Sequence, residues 1–433
     1  MGALYGNDRT AAFPQSWYAA TVSPPPLRPA LRGDHRADVC VIGAGFTGLS
    51  AARVMAARGL SVIVLDAHRA GFGASGRNGG QVGSGLGVSQ RTLARRLGAG
   101  LARDLWHLAE EAKADVAANA RAFGPDIHYR PGIAHGCYTA TELADDRDEA
   151  AFLASTYGYD KIESFDRDTF ADIVRSPQYR GGLIDRGGAH IHPLRYALAL
   201  AGAAEASGAR IYEQSPVHHL AHGQSLSIRT SAGRVRASHA VIATNGYIDG
   251  LIPQVAARVL PLNSFIVATE PLGDRADAIL GEDIAVEDSK HFVNYYRLSE
   301  DRRLLFGGRA SARIAFPADI AGLLRPRFEK LFPQLGGVPI THVWGGTLGV
   351  TAYRLPAVTR VAPNVLSVGG FNGHGVALSG LSGKLMGEAV TGDSARFDTF
   401  ARLPSLAFPG GAAVGRGILA AYLGVKAWQD RLG

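Results

Sequence analysis

The segment ADVCVIGAGFTGLSAARVMAARGLSVIVLD, residues 37–66, constrains this chain more than any other. An apolar run leads into Gly43, Gly45 and Gly48, which have the G-x-G-x-x-G spacing, and a helix-like stretch and a second apolar run follow. The second run ends on Asp66, 18 residues after Gly48, near the spacing expected of an acid that binds a ribose. This order predicts a dinucleotide site in an α/β domain; the alternative is a tight strand–helix turn without a ligand.

Composition excludes several classes of protein. The 433 residues are enough for two domains, and the net charge of +7 comes from scattered residues with no long basic run, which argues against nucleic-acid binding. Two cysteines cannot form a disulfide framework. Because the N-terminus lacks a signal-peptide pattern and no apolar run reaches membrane-spanning length, we expect a cytoplasmic protein. Residues 417–432 predict an amphipathic helix that packs on its own domain, with membrane contact as the alternative.

Two further glycine-rich segments favour FAD over NAD as the dinucleotide. GASGRNGGQVG, residues 73–83, follows the acid directly, where an NAD domain usually continues into ordinary alternating elements. GGFNGHGVALSG, residues 369–380, follows an apolar strand and opens a helix. Two helix N-termini, one for each end of the cofactor, fit FAD, because the second can stabilise negative charge on a reduced flavin. A glycine loop needed only for packing is the alternative for the second segment.

Several side chains are candidates for the chemistry. His374 lies between two glycines of the second turn and either borders the reacting centre or merely caps the turn. Tyr295, Tyr296, Trp344 and Phe371 are aromatic residues that belong either to the core or to a substrate wall. Candidates to hold a substrate carboxylate, rather than to form surface ion pairs, are Arg297, Arg309 and Arg354. The histidine pairs at 190/192 and 218/219 have no matching cysteine or acidic cluster, so no metal site is predicted.

The order of motifs resembles that of the D-amino-acid-oxidase-like FAD oxidoreductases. GAGFTGLSAA, SGRNGGQ, HPLRYA, EQSPV, ATEPL, NYYRLSEDRRLLFGGR, RLP and FNGHGV occur in that order over nearly the whole chain. SWYAAT and NYYRLS with LLFGG make it most similar to the gamma-glutamylputrescine oxidoreductase group. The resemblance implies an α/β (α+β) fold, in which an FAD-binding Rossmann-like domain carries an inserted substrate domain built on a large antiparallel sheet. We expect the FAD domain at 36–90, 186–255 and 345–433, the substrate domain at 91–185 and 256–344, and an N-terminal arm at 1–35.

The resemblance also implies the cofactor contacts. We expect them at Gly43, Ala44, Gly45, Phe46, Thr47, Gly48, Asp66, Ala67, Ser75, Gly76, Asn78, Gly80, Gln81, Val217, Thr244, Asn245, Gly373, His374, Gly375 and Val376. Some relatives attach the flavin through a cysteine near the position of Trp344, but the local sequence here is WGGTLG. We therefore expect FAD to be bound without a covalent link.

The expected reaction is oxidation of an amine, gamma-glutamylputrescine or a similar derivative, as in polyamine catabolism. Hydride passes to the flavin, water hydrolyses the imine, and oxygen or another acceptor reoxidises the cofactor. His374 and Trp344 are expected to border the flavin ring, while Tyr295, Tyr296 and Arg297 hold the substrate tail. The alternatives are an oxidase or dehydrogenase acting on sarcosine or a D-amino acid, an NAD-dependent dehydrogenase, and a flavoprotein without catalysis.

Overall fold

Two β-sheets organise the chain in the computed structural model, which describes residues 6–432 and the side chains of residues 6–430. In chain order, the strands are β1 (Gly33–Ile42), β2 (Val62–Leu65), β3 (Gln81–Val82), β4 (Arg130–Cys137), β5 (Ile162–Asp166), β6 (Gly181–His190), β7 (Arg210–Tyr212), β8 (Val217–Ala221), β9 (Leu226–Thr230), β10 (Gly233–Ile242), β11 (Leu260–Thr269), β12 (Ala285–Asp288), β13 (Tyr295–Leu298), β14 (Leu304–Ser311), β15 (Ile340–Val350), β16 (Ala357–Ala362) and β17 (Val365–Gly369).

Helices cover the sheets and connect their strands. They are α1 (Trp17–Ala20), α2 (Phe46–Ala57), α3 (Gln90–Leu97), α4 (Ala99–Phe123), α5 (Ala140–Tyr157), α6 (Arg167–Ile173), α7 (Pro193–Ala206), α8 (Pro253–Ala256), α9 (Ile320–Leu331), α10 (Gly375–Val390), α11 (Ala395–Phe400) and α12 (Gly411–Leu432). None of the helices within residues 6–432 is long and apolar enough to cross a bilayer.

The first sheet has the strand order β16-β17-β10-β1-β2-β7, and β17 to β7 in this order run parallel. Strand β2 is buried along its whole length, which explains its continuous apolar sequence. Helices α2, α4, α7 and α10 form one core with this sheet. The second sheet has the order β15-β11-β14-β13-β12-β4-β6-β3 and is antiparallel apart from the β12–β4 pair. The mixed α/β fold with a large second sheet is confirmed.

In three places, the sheet or core to which a segment belongs differs from the domain expected for it from the sequence. β3 lies within the segment 36–90 but pairs with β6 in the second sheet. The expected boundary between residues 185 and 186 falls inside β6, which stays in one sheet to its end. α4 lies in the expected substrate domain, yet its apolar face packs in the core of the first sheet. The helical pattern predicted α4, but only its tertiary contacts assign it to a layer.

Helices α2 and α10 pack unusually close because α10 presents glycines to α2. A Cβ on Gly383 would overlap the carbonyl oxygen of Thr47 and lie 2.8 Å from the backbone nitrogen of Ala51. A Cβ on Gly387 would lie 3.0 Å from the side chain of Val54. This backbone contact fixes the position of one helix relative to the other, including their N-terminal ends.

Replacing Gly383 by alanine tests this contact. We expect Gly383→Ala to lower the free energy of unfolding by about 1–3 kcal/mol, because the helices must move apart. Gly380→Ala on the same helix is the matched control: its nearest neighbour would be Ser50 Oγ at 3.7 Å, and helix propensity favours alanine. Thermal unfolding of both variants measures the difference, and equal midpoints would contradict the proposed packing constraint.

Candidate active site

One large cavity lies between the two sheets. Its volume is about 2170 Å³, well above the roughly 300–1,000 Å³ of a typical small-ligand pocket. Ile42, Leu65 and Ala243 line it at the carboxyl ends of β1, β2 and β10, and residues of β12, β13 and β14 form the opposite wall. The carboxyl edge of a parallel sheet is where α/β proteins bind ligands, and this cavity has room for a dinucleotide together with a substrate.

The glycine turn after β1 brings the start of α2 to the cavity. Gly43 has φ +108°, and a Cβ there would lie 2.6 Å from the carbonyl oxygen of Ala243. Gly45 caps α2 without a side-chain acceptor, and the first helical bond is donated by Leu49 to Gly45 at 3.0 Å. Ser75 Oγ accepts the Phe46 N–H at 2.9 Å. The remaining donors of the first turn are available to an anion at this edge.

Asp66 directly follows β2 and lies on the cavity wall. Its Oδ2 accepts the Ala44 N–H and its Oδ1 accepts the His68 N–H, each at 2.8 Å. Burial raises the pKa of Asp66 to about 6, against the effect of these two hydrogen bonds, and the charge of Glu213 acts in the same direction as burial. The carboxylate therefore has its orientation fixed by backbone and keeps lone pairs for a hydroxyl donor.

A second helix N-terminus faces the cavity from the other direction. Strand β17 leads through a turn with positive φ at Gly370 and Gly373 into α10, whose cap residue His374 gives no side-chain cap bond. Ser379 Oγ, on the first turns of α10, is buried at the cavity without a hydrogen-bond partner. Thr244 Oγ1, just after β10, is likewise buried at the cavity without a hydrogen-bond partner. These unpaired donors fit a long cofactor with polar groups at both ends, which is the form of FAD.

Most predicted cofactor residues line the cavity. The residues on its wall are Gly43, Gly45, Phe46, Thr47, Asp66, Ala67, Ser75, Asn78, Gln81, Val217, Thr244, Asn245, Gly373, His374, Gly375 and Val376.

Four predicted cofactor residues lie behind this wall. Ala44 is fully buried and only its N–H reaches Asp66. A Cβ on Gly48, Gly76 or Gly80 would overlap a backbone carbonyl oxygen, of Gly43, Gly71 and Ile191 respectively. These three glycines are needed for close packing of backbone that supports the cavity.

Of the five predicted catalytic residues, His374 and Tyr295 line the cavity and three do not. Tyr296 follows Tyr295 in β13, so its side chain points to the opposite face and its hydroxyl lies 3.1 Å from that of Tyr179. Trp344 is buried and donates its indole N–H to the Arg77 carbonyl oxygen at 2.9 Å.

Arg297 is the third of these residues, and its side chain is also committed to the protein interior. Its guanidinium donates to the carbonyl oxygens of Gly79 at 3.0 Å and Ile191 at 3.2 Å. The Arg297 side chain therefore stabilises the backbone of the glycine-rich segment that follows β2. The expectation that Arg297 and Tyr296 contact the substrate tail, and that Trp344 borders the flavin, does not agree with these positions.

Of the three candidate arginines, Arg309 and Arg354 line the cavity, and Arg354 is exposed there. The pairing of β11 with β14 shifts between Ser264 and Phe265, which oppose Ala310 and Gly308, so Arg309 is the extra residue of a β-bulge. It has φ +58°, an uncommon value for a residue with a side chain. Its Nε is buried without a hydrogen-bond partner. Bulges often redirect a side chain beside an active site, and this one points Arg309 into the cavity wall.

A row of paired residues crosses the substrate-side wall. Glu287 of β12 pairs with His135 of β4 on one side and with Tyr295 of β13 on the other, and Tyr295 pairs with Gly307 of β14. Gly307 leaves room for the Tyr295 ring, since a Cβ there would overlap it. The Tyr295 hydroxyl lies 3.2 Å from Ser264 Oγ. Sequence reasoning missed Glu287, His135 and Ser264, because only strand register places them on this wall.

His374 lies where the α10 turn meets the loop after β3. A Cβ on Gly83 would lie 2.5 Å from the His374 ring, and one on Gly87 would lie 3.0 Å from its Cβ. Burial lowers the pKa of His374, while the charge of Glu287 and nearby backbone carbonyls act in the opposite direction. The His374 ring is therefore held against the glycines of this loop, where burial disfavours its protonation.

The C-terminal helix α12 covers part of the cavity. Ile418, Leu419 and Tyr422 line the cavity, and the helix contacts α8, β11 and β14. Val425 and Trp428 remain more than half exposed. α12 is thus a helix packed on its own protein, as expected, with an exposed apolar face beyond the packed side.

Comparisons with known proteins agree with this architecture. The family model of the FAD dependent oxidoreductases matches residues 38–389. The chain is 38% identical over 417 residues to a probable oxidoreductase OrdL of Rhizobium meliloti, covering 96% of this chain and 97% of that protein. It is 36% identical over 420 residues to gamma-glutamylputrescine oxidoreductase of Escherichia coli, covering 96% and 98%.

Solved structures show the same fold. Glycine oxidase from Geobacillus kaustophilus superposes with a TM-score of 0.70 at 22% identity, covering 82% of this chain and 95% of that one. L-amino acid deaminase from Proteus vulgaris has a TM-score of 0.70 at 15% identity, covering 88% and 99%. Together with the two glycine turns and the cavity between them, these matches show that the chain belongs to the FAD dependent oxidoreductase family and is itself an FAD-dependent oxidoreductase.

Proposed function

We propose that the protein oxidises the primary amine of a substrate whose far end carries a carboxylate, with gamma-glutamylputrescine as the best candidate. The full-length similarity to gamma-glutamylputrescine oxidoreductase of Escherichia coli supports this substrate class. The observation that carries the proposal is the bulged Arg309, whose unpaired guanidinium nitrogen lies in the cavity wall.

Arg309 has the surroundings of an anion-binding side chain. Among the described residues, none forms an ion pair with it, and a guanidinium binds a carboxylate through two parallel hydrogen bonds. The pKa of Arg327 nearby is lowered by burial and also by the positive charge of Arg309. A bound carboxylate would relieve this repulsion between two cations. Two hydroxyl groups lie beside the backbone of Arg309: Ser264 Oγ donates to the Arg309 carbonyl oxygen at 3.2 Å and lies 3.2 Å from the Tyr295 hydroxyl.

The amine end would then lie toward the N-terminus of α10. Bound FAD would supply a hydride acceptor for the carbon that carries the neutral amine. Loss of an N–H proton would leave an imine, which water would convert to an aldehyde and ammonia. The helix N-terminus stabilises negative charge that develops at this end of the cavity. His374, whose protonation is disfavoured by burial, lines the same region of the cavity. Oxygen or another acceptor would take up the electrons.

Neither cysteine lines the cavity, which supports FAD bound without a thioether link. Cys40 is buried in β1, and Cys137 lies at the end of β4. The pKa of the Cys40 thiol is raised by burial, so this residue stays protonated.

Anaerobic mixing with gamma-glutamylputrescine tests the proposal directly. We expect the absorption of oxidised flavin to disappear promptly when the substrate is mixed in without air. Readmitting air then measures how fast oxygen restores this absorption. His374→Ala should slow the bleaching more than threefold if the ring borders the reacting centre. Flavin that stays oxidised with this substrate but bleaches with sarcosine or a D-amino acid would contradict the proposed substrate.

Arg309→Gln separates carboxylate recognition from the chemistry. We expect kcat/KM for gamma-glutamylputrescine to fall roughly 10–100-fold, because a charge-assisted hydrogen bond is worth about 1.5–3 kcal/mol. For an N-acylputrescine without a carboxylate, the same variant should match the wild type. Arg313→Gln, an exposed arginine two residues past the end of β14, is the control. An equal loss for both substrates would remove Arg309 from carboxylate binding.

The high pKa of Asp66 predicts that FAD binding depends on pH. Ribose hydroxyls donate hydrogen bonds to the ionised carboxylate, and protonation near pH 6 removes acceptor strength. Affinity of the apoprotein for FAD should therefore fall as the pH decreases through about 6. Asp66→Asn should bind FAD roughly 10–100-fold more weakly and lose this pH dependence.

Flavin fluorescence titrations of the apoprotein between pH 5 and pH 8 measure the FAD affinity above and below the Asp66 pKa of about 6. Asp393→Asn, an exposed carboxylate beyond the C-terminal end of α10, is the control and should keep the wild-type profile. A wild-type profile in Asp66→Asn would show that another group causes the pH dependence.

A further inference from the structure

Three potential metal ligands meet beside the substrate wall of the cavity. His135 and Cys137 are two residues apart in β4, so their side chains point to the same face of the strand. Thr139 and Glu142 form a capping box that fixes the start of α5 directly after this strand. Nearly two turns into the helix, Asp146 lies close to the two strand residues.

The distances between the ligand atoms are close to those of a tetrahedral metal site. Asp146 Oδ2 lies 3.4 Å from His135 Nε2 and 3.3 Å from Cys137 Sγ. Ligands at the usual zinc distances are about 3.4 Å apart for nitrogen and oxygen and about 3.6 Å apart for sulfur and oxygen. All three ligand atoms lie within 4.8 Å of one another. A small side-chain rotation would therefore bring them around one ion.

A second carboxylate lies beside the other ring nitrogen of His135. Glu287 Oε1 lies 3.7 Å from His135 Nδ1, on the side of the ring opposite to Nε2. A carboxylate on the outer nitrogen of a histidine is the usual partner of a metal ligand, because it fixes the ring and raises its basicity. This partner belongs to a different strand and is independent of the three ligands.

The site has an open side. His135 and Asp146 belong to the cavity wall, whereas Cys137 lies behind it and is fully buried. A fourth ligand would come from the cavity, as water or an anionic group. The arrangement of three protein ligands and one open position is found in sites where zinc binds a solvent or substrate molecule.

The geometry points to a divalent-metal site of the zinc class formed by His135, Cys137 and Asp146, with Glu287 as the outer partner of the histidine and an open position toward the cavity. The sequence prediction of no metal considered other histidines and overlooked the H-x-C pair of β4 with its acid on the next helix. The inference does not depend on the proposed substrate. Without a metal, the same residues would form only a thiol–carboxylate hydrogen bond and a histidine ion pair.

Cobalt binding tests the site in the FAD-loaded protein after chelator treatment and dialysis. We expect one Co²⁺ per chain, with the strong red absorption of four-coordinate cobalt, in a region where oxidised flavin does not absorb. One equivalent of Zn²⁺ should remove this absorption. Cys137→Ser should lose it, whereas Cys40→Ala, which removes the other buried thiol, should keep it.

Two further variants keep the test decisive if Cys137→Ser folds poorly. Asp146→Asn retains an acceptor for the thiol and should abolish the red absorption, and Glu287→Gln should weaken metal affinity about 10–100-fold, as removal of an outer partner does. Thermal unfolding and bound FAD confirm that each variant is folded. The inference is overturned if wild-type protein gives only the weak spectrum of six-coordinate cobalt, or if Asp146→Asn binds cobalt as the wild type does.

Discussion

The close contact between α2 and α10 determines where both ends of the cofactor site lie. Each helix begins at the cavity, α2 after Gly45 and α10 after His374. Their relative position is set where Gly383 packs on the backbone of α2, leaving no space for a side chain. A helix terminus acts on charge only over about one turn. If the cofactor binds at these two N-termini as we expect, a shift of either helix would weaken that interaction, and the packing of the small residues would support anion binding.

A buried polar network makes a comparable connection to the second sheet. Lys113 of α4 donates to Ser84 Oγ at 2.5 Å and to the Tyr159 hydroxyl at 2.9 Å, and both hydroxyls also contact Asp185 of β6. The Lys113 ammonium is buried and also pairs with Glu110 at 2.9 Å, whereas Asp185 is half-buried. A buried charge is tolerated when it is paired and hydrogen bonded. Because Ser84 follows Gly83, this network fixes the loop that packs against His374. The position of the imidazole therefore depends on both layers.

Local patterns predicted the fold class and the FAD cofactor, and non-local register explains most of the differences in side-chain position. Glycine spacing and the acid at Asp66 report the conformation of consecutive residues, which the sequence contains directly. The roles of Arg297 and Arg309 depend on which face of a strand each occupies. A bulge opposite Ser264 redirects Arg309, and no pattern within β14 alone indicates the bulge. The same reason applies to His135, whose partners are on β12 and α5.

The register of the second sheet also places side chains of opposite charge at different positions on the cavity wall. Glu287, Tyr295 and the bulge at Arg309 lie on three consecutive strands, which are about 4.8 Å apart from one to the next. Arg309 lies two strands across the sheet from Glu287 and two residues further along β14 than Gly307, the partner of Tyr295. Glu287 itself lies 3.7 Å from His135 Nδ1 and is influenced by the charge of Arg354, whereas Arg309 has a buried guanidinium nitrogen without a partner. Under the proposed function, the carboxylate of a substrate would therefore lie at the Arg309 side of this wall.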